Sequence, residues 1–452
     1  MQDLTEGKPT KLIFNFATPM LIGNVFQQVY NITDSIIVGK FLGKEALAAV
    51  GASFPLIFLL ISFIIGIATG STILIAQYFG AKDFEKIRKT IDTLYIFLFF
   101  ASLTVSVVGI AFSESIFRLI KLPEELIPQA ALYISVYLTG AVFFFGFNGT
   151  SSILRGLGDS KTPLYFLIIS TIANVFFDIL FVVVFKWGIA GAAFATVIAQ
   201  AGAFITTVIY LNRTHPIINL SWRKLYWDKE IFRASVRIGL PTGFQQTFVS
   251  IGMIALLRIV NDYGTNVIAA YSVAGRIDNM AALPAMNFGT ALSTYVGQNI
   301  GARKMQRVKQ GLRATLNMST WTALATSVLI IIFRHPLMAL FVSDQAVISI
   351  GGEYLMIVGG FYIVFSSMFV IGGVMRGAGD TLIPMFITLL SLWLIRIPLA
   401  AVLSKHFGVL GIWWAIPIAW FMGMTLSFIY YRTGRWKKKS LVKVSDPVEN
   451  HT

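Results

Sequence analysis

The sequence predicts an all-α integral membrane protein of twelve transmembrane helices, arranged as two six-helix bundles related by a pseudo-two-fold axis along the membrane normal. Three observations carry that expectation. Of the 452 residues, 56% are hydrophobic and only 13% charged, with a mean hydropathy of +0.75; a soluble domain carries nearer a quarter of charged residues. The apolar residues gather in twelve runs of at least 18 residues, each long enough to cross a hydrocarbon core about 30 Å thick as a helix. Finally, landmarks recur at a spacing of 220 to 222 residues. Six spans per copy is an even number, so both copies enter from the same face and form parallel repeats.

The runs cover residues 12–39, 47–79, 91–112, 128–154, 162–185, 188–211, 234–260, 266–300, 314–333, 346–375, 381–403 and 408–431. Several exceed the 20 or so residues needed to cross, so tilt, kinks or extension beyond the lipid are expected. The second run ends in AQYFGAKDFEKIRKTI (Ala76 to Ile91), which returns as GQNIGARKMQRVKQGL (Gly297 to Leu312) at an offset of 221. RGLGDSKTP (Arg155 to Pro163) returns at the same offset as RGAGDTLIP (Arg376 to Pro384). Gly188 and Gly191 are echoed by Gly408 and Gly411, and Pro19 by Pro241. The expected parts are an N-terminal lobe (1–211), a linker (212–232), a C-terminal lobe (233–432) and a basic tail (433–452). A pair of bundles of this kind moves by rocking about a cleft.

The net charge of +15 suggests nucleic acid at first sight, but its distribution points to topology instead. With the N-terminus cytoplasmic, one side holds 26 of the 36 Lys and Arg and the other holds 8; Arg276 and Arg396 lie inside helices. That is a positive-inside pattern with both termini in the cytoplasm. The expected location is a bacterial or archaeal cytoplasmic membrane, and the partner of the basic clusters is anionic lipid rather than nucleic acid. There is no cysteine, hence no disulfide or thiolate chemistry. The polar start, MQDLTEGKPTK, lacks the form of a cleavable signal peptide, so the first helix is expected to direct insertion. Nothing in the chain calls for a cofactor, and a monomer is expected.

The first helix holds the most costly residue. Asp34 lies about four fifths of the way along it, in an apolar run where insertion scales put a central carboxylate at roughly +2.5 to +3.5 kcal/mol. Asn24, Gln27, Asn31 and Asp34 follow at i, i+3, i+7 and i+10, within about 80° of one helix face. A polar packing seam is one reading. A solvated wall with a proton- or cation-binding carboxylate is the better one, because Asn or Ser would serve packing at lower cost. Pro19, a few residues before this face, removes a backbone hydrogen bond and is the hinge candidate.

Asp34 and Asp178 are the carboxylates deepest in the predicted helices of the first lobe, and Asn174 stands four residues before Asp178 on the same face. Two acids in one low-dielectric cavity cannot both hold charge easily, so such a pair can load and release a proton. Ringed by Asn and Gln oxygens, the same pair suits a sodium ion. Residue types alone leave the two open, and no firm metal site is read. At the repeat offset Asp34 falls on Ala255 or Leu256 and Asp178 on Leu399, so the acid pair has no echo. Arg276 and Asp278 in the eighth helix and Arg396 in the eleventh read as an ion pair or gate. Phe143, Phe144, Phe145, Phe147, Tyr30 and Tyr271 are candidates for lining an apolar cavity, with packing the plainer reading for each.

Several enzymatic readings fall away. GLGDSKT (Gly156 to Thr162) lacks the Gly-Lys order and preceding strand of a phosphate loop. No HExxH occurs, and no nucleotide-binding domain is present to power transport.

The first helix (PMLIGNVFQQVYNITDSIIVGKFLG), the YFGAKD and NIGARK repeats and the stretch AAYSVAGRIDNMAALPAMNFGTALSTYVGQNIGA together resemble a prokaryotic multidrug and toxic compound extrusion (MATE) transporter, from about residue 10 to 432. The resemblance implies an antiporter that exports small organic compounds, often cationic and amphipathic, in exchange for inward H+ or Na+. It further implies a coupling network in the N-terminal lobe. Asp34, Asn174 and Asp178 match that pattern, and Gln27, Asn31 and Asn148 stand as supporting polar residues. A lipid-linked saccharide flippase is the nearest alternative, but it wants a wide cationic cavity and only Arg276 and Arg396 are at hand. A proton-translocating redox-complex subunit would need intramembrane Lys and Glu along the midplane, which this chain lacks.

Overall fold

A computed structural model describes residues 2–214 and 225–441, so the expected linker and tail fall in part, at 215–224 and 442–452, outside the described residues. Among the described residues the chain is helical, with no strand. This is what lipid demands, since a spanning segment must satisfy every backbone N–H and C=O within itself.

The first copy comprises α1 (Pro9–Leu42), α2 (Lys44–Gly80), α3 (Phe84–Leu119), α4 (Ile127–Thr139) with α5 (Ala141–Gly156), α6 (Lys161–Asp178) with a π-helical continuation (Ile179–Val184), and α7 (Gly188–Thr214). The second comprises α8 (Lys229–Asn261), α9 (Thr265–Gly301), α10 (Met305–Ala339), α11 (Gln345–Gly359) with α12 (Tyr362–Gly377), α13 (Leu382–Leu389) with a π-helical stretch (Leu390–Arg396) and α14 (Ile397–Phe407), and α15 (Val409–Thr433). By length and hydropathy alone, seven described helices pass as spans, or nine when each bent pair is one span. The other three are α1, α2 and α9, of 34, 37 and 37 residues, at 1.5 Å per residue longer than the bilayer core is thick.

The duplication is written in the backbone. Lys82 and Arg303, 221 apart, are both left-handed at φ 59, and Gly158 and Gly379 repeat φ 82 and 89. The two spans expected as single helices over 128–154 and 346–375 are instead bent, by 54° between α4 and α5 and by 49° between α11 and α12. Each break tightens from i−4 to i−3 bonding, Gly140 N–H to Tyr137 O at 3.1 Å and Phe361 N–H to Val358 O at 3.0 Å.

The chain forms two compact units, and they do not follow the repeats residue for residue. One contains Pro19–Ile75 and Asp83–Gly243; the other contains Asp3–Thr18, Ala76–Lys82 and the chain from Phe244 on. Thus the first helix of each copy is divided, and α1 passes from one unit to the other at Pro19, the hinge candidate. In the second unit the repeated motifs pack on each other. A Cβ at Gly80 would fall on the carbonyl oxygen of Gln298, and one at Gly301 on that of Gln77, so neither glycine tolerates a side chain. Gln77 also donates to Gly377 O at 3.0 Å. The buried chain segment at Leu4 and Thr5 is clamped to the same place. Leu4 N–H donates to Gln298 Oε1 at 2.9 Å, Asn299 Nδ2 to Leu4 O at 3.1 Å, and Arg307 to Gly7 O at 2.9 Å.

Candidate functional site

In the first unit α1 and α6 bring the two predicted acids together. Asp34 is 4% exposed and Asp178 fully buried, and their charges lie within electrostatic reach of one another. Asp178 is the last α-helical residue before the π turn; such local widening of a helix recurs at functional sites because it re-aims side chains. With its nitrogen turned toward the carboxylate, the Asn174 amide donates to Asp178 Oδ2 at 2.9 Å, and its oxygen accepts from the Thr196 backbone N–H at 3.2 Å. The Thr196 hydroxyl on α7 lies 3.1 Å from the hydroxyl of Tyr30 on α1. The chain Tyr30, Thr196, Asn174, Asp178 therefore links three helices.

Oδ1 of Asp34 and Oδ1 of Asp178 are buried and have no hydrogen-bond partner among the described residues. A buried polar atom left unsatisfied costs about 1–3 kcal/mol, and more when charged. Both oxygens are therefore placed to take a proton or a cation. Beside them a small cavity of about 10 Å³ is lined by Gln27, Tyr30, Asn174, Thr196 and Gln200 among others, about the room one water needs.

Of the supporting residues, Gln27 reaches this cavity. Asn31 is half-buried on α1, with its carbonyl taken by the Ser35 hydroxyl at 2.8 Å. Asn148 donates to Phe144 O of its own helix at 2.9 Å, which is a packing role within α5. Three participants were not read from the sequence. Thr196 sits in an apolar helix whose nearest polar neighbour, Gln200, follows one turn on, and the phenols of Tyr133 and Tyr137 lie within electrostatic reach of Asp34. The Tyr133–Tyr137 spacing of i, i+4, which stacks the rings at 6.3 Å, was the available signal.

The second unit holds a different cluster. Asp278 accepts from Tyr362 at 2.9 Å and from Tyr354 at 3.2 Å. Arg396 is buried and within electrostatic reach of Asp278, but its Nε has no partner among the described residues. Among the described residues no direct ion pair joins them. Arg276 is exposed; two positions from Asp278, it falls on another helix face. Tyr271 stacks on buried Trp413 at 5.8 Å, and Phe145 and Phe147 are buried, so these aromatics pack. Among the described residues no group of three or more His, Cys, Asp or Glu gathers as a metal site.

A family model described as MatE matches the chain twice, over residues 19–180 and 241–402. The chain belongs to the MatE family. Both matches begin at the repeated prolines, Pro19 and Pro241. A protein named "Probable multidrug resistance protein YoeA" from Bacillus subtilis (strain 168) is 36% identical over 95% of this chain and 94% of its own. Another from the same strain, "Probable multidrug resistance protein YpnP", is 33% identical over 97% and 98%. Among solved structures, "Crystal structure of MATE in the bent conformation" superposes with a TM-score of 0.90 at 24% identity, covering 96% of this chain and 98% of that one. At that identity the likeness speaks for the fold. This MatE protein is a multi-pass membrane transporter and not an enzyme.

Proposed function

We propose that this transporter is a secondary antiporter that exports small organic compounds, often cationic and amphipathic, in exchange for inward H+ or Na+, with Asp34 and Asp178 as the coupling carboxylates. The observation that carries the reading is the pair of buried carboxylates with unpartnered oxygens in one helical unit. The names of the two Bacillus subtilis relatives, which speak of multidrug resistance, support the export of organic compounds. The excess of Lys and Arg on one side supports termini in the cytoplasm. Pro19, where α1 changes unit, is the proposed hinge, and Arg276, Asp278 and Arg396 stay outside the coupling step.

Of the two ions, the surroundings favour the proton. Among the described residues no third acid joins Asp34 and Asp178. A hard cation wants oxygens at that place. Each net inward charge gains about 2.3 kcal/mol per 100 mV, which suffices to drive export of a neutral compound against a gradient of several tens-fold, while a monovalent cation exchanged one for one is driven by the ion's concentration gradient alone.

The test is ethidium efflux from proteoliposomes under an imposed pH gradient or an imposed sodium gradient, for the wild type and Asp34→Asn. Efflux that follows the pH gradient and disappears in the variant is expected. A sodium-driven response would reassign the ion, and unchanged efflux in a folded Asp34→Asn protein would remove Asp34 from coupling.

A further inference from the structure

At the start of α10 the chain forms a groove of about 510 Å³ lined by Gln306, Lys309, Gln310, Arg313, Trp436 and Lys437 among others. Lys309, Arg313 and Lys437 are exposed there, and among the described residues none of the three is in an ion pair. Among the described residues no acid lines the groove. It opens at the first turn of α10, whose N-cap position is Lys304 with no side-chain cap. Gln306, Lys309, Gln310 and Arg313 follow at i, i+3, i+4 and i+7, so the groove runs along one face of α10 and both cations share it. Trp436 forms a fixed apolar wall. It is buried, stacks on Tyr431 at 5.6 Å and donates its indole N–H to Tyr431 O at 3.0 Å.

The first repeat provides an internal comparison. At the 221 offset, Lys304, Gln306 and Arg313 correspond to Asp83, Glu85 and Asp92. There the start of α3 is satisfied from within the chain. Asp83 accepts from Lys86 N–H at 3.1 Å, Glu85 pairs with Lys89 at 2.6 Å, and buried Asp92 takes the backbone N–H of Tyr226. The second copy has none of these three acids: Arg88 is matched by Lys309, Lys89 by Gln310 and Asp92 by Arg313.

We infer that the groove at the start of α10 binds the phosphate of an anionic phospholipid headgroup. A membrane-spanning helix begins here, at the level where headgroups lie, and a basic pocket beside such helices suits an anionic head. The Arg313 guanidinium is the natural bidentate phosphate ligand, with Lys309 and Lys437 supplying charge.

The experiment is native mass spectrometry of the full chain in detergent, titrated with dioleoylphosphatidylglycerol, dioleoylphosphatidylcholine or inorganic phosphate. The wild type is expected to bind one phosphatidylglycerol more tightly than phosphatidylcholine. The exposed pair Lys309→Gln with Arg313→Gln should weaken it about tenfold or more, at roughly tenfold per 1.4 kcal/mol. Gln306→Glu, which restores the acid of the first copy, should also weaken it. Lys8→Gln with Lys11→Gln removes the same charge from exposed positions and should leave binding unchanged. Equal weakening by both doubles would mean diffuse attraction and overturn the site. No preference between the two lipids would overturn it too, as would tight inorganic phosphate binding with no lipid preference, which assigns the groove to a free anion.

Discussion

The carboxylates of Asp34 and Asp178 were legible because charge inside an apolar helix is costly. Their surroundings were not. Thr196, Tyr133 and Tyr137 reach the acids through the packing of α4 and α7 against their neighbours, and nothing in an apolar stretch such as GAAFATVIAQ tells which face turns inward. At this scale two substitutions separate the network from its bystanders. Thr196→Val removes the hydroxyl that meets Tyr30 while keeping the backbone N–H that holds the Asn174 amide; a neutral hydrogen bond is worth about 0.5–1.5 kcal/mol, so ion-driven transport should fall roughly two- to tenfold with expression unchanged. Asn148→Leu should leave the ion dependence as it is, since Asn148 bonds within its own helix. Proteoliposome uptake rates at matched protein content check both.

At the scale of elements, the runs, their order and the duplication were all readable, because hydropathy reports lipid exposure and the repeated motifs report repeated turns. The bends at Gly140 and Gly360 were not, since glycine is also ordinary packing material in membrane helices. Gly140 shows what decides. A Cβ there would meet Val197 of α7 at 2.6 Å, whereas one at Gly202 would meet nothing within 4 Å. Gly140→Ala is expected to cost about 1–3 kcal/mol through overpacking. Gly202→Ala should be neutral or slightly stabilising through helix propensity. Thermal unfolding in detergent, followed by circular dichroism or a dye, distinguishes the pair.

For the whole molecule, the repeats give six helices each, but the compact units exchange their first segments. Residues Asp3–Thr18 pack with the second unit and the chain from Asp83 to Gly243 with the first. No periodicity in a sequence reports such an exchange; it depends on hydrogen bonds between residues about 300 apart, such as Arg307 to Gly7 O and Leu4 N–H to Gln298. Arg307→Ala should therefore lower the melting temperature by removing the clamp on Leu4, Asn299 and Gly7. The central claim, coupled exchange through the buried acids, is tested most directly in the reverse sense. An ethidium gradient is imposed across proteoliposomes at equal pH and sodium, and the lumenal pH is followed with a trapped dye. Wild-type protein should drive a proton flux opposite to the ethidium, and Asp178→Asn should abolish it. Ethidium movement by the wild type without any accompanying ion flux would contradict the account.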